Sequence, residues 1–321
     1  MRPWSTLGVP YLTPVARRAG WSARPLGRIL LALVVLFALA AGCTRSAVSF
    51  PRAVLPSTLT AVALIPKAPR PPYSGLLASE YPFGVLGIPE GDVLIVRPVA
   101  GVEGSASGTL AFDQRGLHVT GQQTALGSSI WVEVERPEGG SGWVNAQNLT
   151  EEVGAAPFCA DARVLQLLDS VGQAMVNRDG ALLASLSSPR RGLEISLDWR
   201  GPRVAIPPGQ IGGIFQSSDT IDWGINSSGV ALHGSFSLVV LPFLDRVLGA
   251  QSVLTCDEIG AGSILREIRW PSEYANMNYY SSYRPPEEGG SEYSWATWLA
   301  GVEYVQGHPY LAALVLLRAG I

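Results

Sequence analysis

The earliest apolar run in the chain, residues 29–41, holds thirteen positions without a charge or a strong helix breaker. That is shorter than the about 20 apolar residues a membrane-spanning helix needs, and it matches the apolar segment of a secretory leader. A second apolar piece, residues 59–65, lies among repeated prolines and predicts at most a docked edge strand. From residue 83 to 152 the pattern changes to short alternating or β-branched runs separated by glycine and polar turns. These predict strands at 92–97, 116–121, 130–135 and 142–145. In 130–135, Trp131, Glu133 and Glu135 share one face, and Ile130, Val132 and Val134 share the other.

Beyond Pro157 a helical period takes over. Val164, Leu168, Val171 and Met175 form one face of a helix over 161–177, bounded by Asn177-Arg178-Asp179-Gly180. A short helix at 181–186, a strand at 192–198 and a helical apolar stretch at 236–248 follow. Two runs, 297–305 and 310–317, are joined by Gln306-Gly307-His308-Pro309 and read as a hairpin. Residues 310–317 are apolar on both faces, as in a central strand covered on both sides. Helices first and an antiparallel sheet late is an α+β order. The expected organisation is a leader at 1–42, a tether at 43–80 carrying six prolines between Pro51 and Pro72, a small all-β domain at 81–153 and an α+β domain at 157–321.

Charge gives the first segment its meaning. Arg2, Arg17, Arg18, Arg24 and Arg28 precede the apolar run without one acidic residue, the polarity of an export signal. The run ends in Ala40-Ala41-Gly42-Cys43, which resembles the lipobox of bacterial lipoproteins, with Ala40 where leucine is commoner. The resemblance implies cleavage before Cys43 and a diacylglycerol on its sulfur. It therefore implies a palmitate-type membrane anchor outside the cytoplasm. The alternative is an uncleaved signal anchor in which Cys43 is only a small residue.

The all-β stretch offers Leu94-Ile95-Val96-Arg97, a glycine-bearing loop over 101–108, Leu117-His118-Val119-Thr120-Gly121, Trp131-Val132-Glu133-Val134, Gly142-Trp143-Val144 and a closing Leu149-Thr150. In this order and spacing the motifs resemble the bacterial SH3-like domain, a small barrel. The resemblance implies a targeting or scaffolding module, with Trp131 and Trp143 as core and rim residues or as a ligand surface. The region from 157 onward loosely resembles the nuclear transport factor two-like cone fold, which wraps a curved sheet around a helix.

Removing residues 1–42 leaves 18 basic and 26 acidic side chains, a net charge of −8. That excludes the electrostatic footprint of a nucleic-acid binder. The two remaining cysteines, Cys159 and Cys256, are an even pair in a chain read as exported, which favours a disulfide over two buried thiols. His233-Gly234 followed by Cys256 resembles part of the L,D-transpeptidase motif, but the glycine before and arginine after that cysteine are missing. Cell-wall transfer or hydrolysis through His233 and Cys256 is thus the competing function. Asp198, Asp219 and Asp222 fit turns better than a calcium loop, and His118, His233 and His308 lack zinc-ligand spacing. No metal or cofactor is implied. Seven of the ten tyrosines fall between Tyr274 and Tyr310, and a ligand pocket would lie where Tyr279, Tyr280, Tyr283 and Trp295 converge, unless these pack as core. The leading expectation is a non-catalytic, lipid-anchored envelope protein whose partner is a cell-wall component such as peptidoglycan, a small ligand or another envelope protein.

Overall fold

The structure is a computed structural model that describes residues 81–225, 229–248, 252–262 and 268–318. The leader, Cys43, the proline-rich tether and the edge-strand candidate at 59–65 lie outside the described residues. All the described residues belong to one compact unit.

Its first part is all β: β1 (Phe83–Val85), β2 (Val93–Val96), β3 (Gly108–Ala111), β4 (Val119–Leu126), β5 (Ser129–Glu135), β6 (Ser141–Asn145) and β7 (Leu149–Glu151). Every pairing among them is antiparallel: β1 with β7, β2 with β3, and β4–β5–β6 in one sheet. Single bridges, Phe83 to Leu117 and Arg97 to Trp143, tie these sheets together without closing them. The break falls at β4, whose register slips between Val119 and Gln123 and whose side chains are largely exposed, so it offers little apolar surface to draw another strand alongside. Phe83, Val85, Leu94, Val96, Leu117, Val132, Val134, Val144 and Leu149 nevertheless bury one shared core. The alternation expected for residues 130–135 holds, with Val132 and Val134 inward.

The second part runs α1 (Ala155–Ala160), α2 (Ala162–Asn177), α3 (Gly180–Leu186), β8 (Leu193–Ser196), β9 (Val204–Ile206), α4 (Pro208–Ile211), β10 (Ile221–Ile225), β11 (Ala231–Gly234), α5 (Phe236–Val239), α6 (Leu241–Leu248), β12 (Val253–Cys256), β13 (Asn278–Arg284), β14 (Ala296–Val305) and β15 (His308–Arg318). The long helix starts where Asp161 accepts from the Arg163 amide and stops where Arg178 turns left-handed at φ 55. Six strands form one sheet in the order β12-β13-β14-β15-β8-β9. It is antiparallel except for β15 beside β8, which run parallel, a departure from the purely antiparallel expectation. Between these two strands the chain runs through α4, α5, α6 and four other strands of the same sheet, ample length for the crossover a parallel pair requires. Gly192 opens β8 at φ +80, where a Cβ would stand 2.1 Å from the Ile206 carbonyl oxygen, so no other residue fits.

Both faces of the sheet are covered. On one, Leu311, Leu314 and Leu316 pack with Val164, Val171, Met175, Phe158 and Leu244 from the helices. On the other, Ala313, Val315 and Leu317 pack with Tyr274, Met277, Trp295 and Leu86, the last from the all-β part. Residues 311–317 are buried without exception, which is why their sequence shows no polar alternation. Cys159 on α1 and Cys256 on β12 are joined, with sulfurs 1.94 Å apart.

Candidate functional site

The two parts meet along a seam of specific polar contacts. Asn276 donates through Nδ2 to the Val85 and Gln114 carbonyls, at 2.8 and 3.0 Å, and its Oδ1 accepts from Arg115 Nε at 2.6 Å. Asn278 donates to the Val153 carbonyl at 2.7 Å. At the opposite end of the seam Arg191 donates to the carbonyls of Gln147 and Leu149 while its Nε holds Glu303 at 2.7 Å. Glu303 is fully enclosed and also accepts from the Ser188 hydroxyl. Asn276, Asn278, Arg191 and Glu303 therefore each meet a partner where folding removes them from water.

A cleft of about 410 Å³ opens on this seam, and Tyr81, Glu151, Pro157, Asp161, Arg163 and Tyr304 line it. Glu151, at the end of β7, is buried, and its two oxygens accept from the Gln306 and Gly307 amides at 2.6 and 2.8 Å. It thereby caps the turn between β14 and β15. Asp161 grips Arg163 in a fork, Nε to Oδ1 at 2.9 Å and Nη2 to Oδ2 at 2.7 Å, and Tyr304 donates its hydroxyl to Oδ2 at 2.9 Å. Arg163 Nη1 completes the clamp on the Gly307 carbonyl at 3.0 Å.

The electrostatics follow from these bonds. The Arg163 guanidinium holds the Asp161 carboxyl down at about 2, against the opposing effect of burial. Burial, followed by the neighbouring Asp161, pushes the Tyr304 phenol up, so it remains a neutral donor. A carboxyl whose folded pKa lies below its unfolded value of about 3.9 gives stability that is complete above about pH 4 and lost as pH falls toward 2. Asp161→Asn is therefore expected to flatten the acid limb of stability over that window. Urea midpoints measured from about pH 2.5 to neutrality would test this, and a variant whose acid limb matches the parent would remove Asp161 from it.

Comparison with family models, curated proteins and solved structures finds no match for the chain. The site therefore has to be read from its own residues.

Of the four aromatics singled out from the sequence, Tyr279, Tyr283 and Trp295 share one face of the sheet and Tyr280 lies on the other. Neighbouring side chains on a strand face opposite ways, so Tyr280 on β13 enters the helix-side core against Phe158, with ring centroids 5.4 Å apart. Tyr279 stacks on Trp270 at 4.5 Å on the other face, where Tyr283 meets Trp295 at 6.3 Å. Tyr279, Tyr280 and Trp295 are buried, and burial pushes the Tyr279 phenol up to about 12. Tyr279, Tyr280 and Trp295 belong to the core, and Tyr283 packs against it partly buried. Trp131 and Trp143 do share a face, because Trp143 stands opposite Glu133. Trp131 is buried there, leaving little of it to meet a ligand.

His233 and Cys256 are not brought together in one strand pair: His233 faces Asp222 across the β10–β11 hairpin at 3.8 Å, and the Cys256 sulfur is occupied by Cys159. Asp198 and Asp222 accept from the amides of Arg200 and Gly224, the side-chain turns their spacing suggested. Among the described residues no three His, Cys, Asp or Glu side chains converge as metal ligands. Sequence reasoning passed over Tyr81, Glu151, Arg163, Tyr304 and the buried Glu303. Its available signal was one glutamate inside an otherwise apolar run, with Arg190-Arg191 ahead of a strand.

Proposed function

We propose that the protein is a non-catalytic, lipid-anchored binding protein of the bacterial cell envelope. In this reading Cys43 carries the lipid, the proline-rich tether spaces the folded part from the membrane, and a bacterial SH3-like module is fused to an α+β body. The observation that carries it is the arginine-led, uncharged run that ends in Ala40-Ala41-Gly42-Cys43. Two or three acyl chains at that residue would give stable anchoring where one alone is marginal. A cysteine pair at bonding distance suits an oxidising compartment. The SH3-like assignment rests on the order of the sequence motifs and on the single core their strands share. The cone-fold likeness of the second part rests only on its helices lying against one face of a sheet.

The rival function, wall transfer or hydrolysis with His233 as base and Cys256 as nucleophile, has a bonded sulfur against it. A thiolate is the required nucleophile, and none is available while that bond stands.

Mass spectrometry of the protein purified from membranes is expected to give a mature N-terminus at Cys43 carrying diacylglycerol, and Cys43→Ser should release the folded part from the membrane fraction. An intact leader, or a bare thiol at Cys43, would overturn the anchor. Sedimentation with purified cell wall is expected to retain the protein, and recovery entirely in the supernatant would count against wall binding.

A further inference from the structure

The seam cleft has an unusual balance of charge. Arg163 carries five N–H donors and spends one from each nitrogen on Asp161 and Gly307. Two donors therefore remain without a partner among the described residues, on a side chain that is 54% exposed yet held through all three of its nitrogens. The positive charge itself is cancelled by Asp161, and Glu151 adds a second carboxylate beside it. An anion entering the cleft would meet no net attraction, whereas a neutral ligand rich in oxygen acceptors would find fixed donors. The apolar part of the lining matches that chemistry. Tyr81 is half exposed, and its ring lies against Gly307, 3.6 Å from where a Cβ would stand. Pro157 and Ala160 extend this surface with exposed, uncharged side chains.

A ring with a C–H face and a rim of hydroxyl and acetamido oxygens fits both halves at once. We propose that the seam cleft binds a neutral N-acetylated sugar, its ring against Tyr81 and its oxygens on the free N–H groups of Arg163. This deepens the binding-protein reading above and rests on it. The volume, about 410 Å³, lies within the roughly 300–1,000 Å³ of small-ligand sites and is too small for a folded partner. Because both parts of the protein contribute to the lining, the site exists only while the seam is closed.

The test uses the full lipidated chain in detergent and a short, uncharged oligomer of N-acetylglucosamine as probe, with binding measured by calorimetry. Tyr81→Ala is expected to weaken binding at least about tenfold and Tyr81→Trp to preserve it, with melting temperatures unchanged because the side chain is half exposed. Raising salt tenfold should change the affinity by less than about twofold, since no net charge is neutralised. No binding at millimolar oligomer, equal binding by Tyr81→Ala, or clear preference for a carboxylated oligomer would each overturn the assignment. If the protein sediments with cell wall but ignores the oligomer, the cleft assignment fails and the binding-protein reading stands. If it does neither, both fail.

Discussion

Arg191→Met is expected to lower unfolding free energy by about 3–5 kcal/mol, the cost of stranding a buried carboxylate without its cation. Glu303 has no exposed side-chain surface, and Arg191 is only 9% exposed, so water cannot replace what is lost. The same substitution removes two donors from the Gln147 and Leu149 carbonyls, and with them one end of the seam. Denaturant unfolding monitored by tryptophan fluorescence would read the loss. The double variant Arg191→Met/Glu303→Leu is expected to recover a substantial part of it, because an apolar pair of similar volume needs no charge compensation. A single variant within about 0.5 kcal/mol of the parent would show that the pair contributes no more than a surface contact does.

Removing the disulfide is expected to produce the largest change in melting temperature. The bond joins residues 97 apart, and the chain-entropy account assigns a loop of that length about 4–5 kcal/mol. For a folded unit of this size that corresponds to a fall of about 10–20 °C in Cys159→Ala/Cys256→Ala, or in the parent under reductant. The location adds a second consequence. Cys256 belongs to β12, the edge strand of the large sheet, and Val253 and Leu254 on that strand are exposed. With α1 no longer tied to it, β12 would fray first and present an unpaired apolar edge, so aggregation on heating should rise as well. A fall of less than about 3 °C in a scan would mean that the bridge restricts the unfolded chain very little.

What could be read from the residues was whatever repeats locally. The face built by Val164, Val171 and Met175 recurs at helical spacing, and the helix lies where that spacing put it. Residues 130–135 alternate, and Val132 and Val134 point inward as alternation demands. The uninterrupted apolar run before Arg318 announced a strand covered on both faces. The tyrosine cluster divides between two faces, because neighbouring residues on a strand point to opposite sides of the sheet. Tyr279 and Tyr280 are neighbours in the chain, yet they lie on opposite faces of a sheet. The sheets expected to close from the SH3-like motifs stay open at β4, whose register slip leaves no mark in the local pattern of residues.

The sequence by itself determined the arginine-led apolar run that ends at Cys43, the change from strand to helix period near Pro157, and the elements built on strict periodicity. These are short-range properties, set by side chains a few residues apart. Only the tertiary structure decided the seam: Glu151 on the turn at Gln306, Asp161 on Tyr304, and Arg191 between Glu303 and the Leu149 carbonyl. Those pairs are separated by about 40 to 160 positions, and each exists because burying a charge or a backbone polar group requires a partner that only the folded chain can deliver.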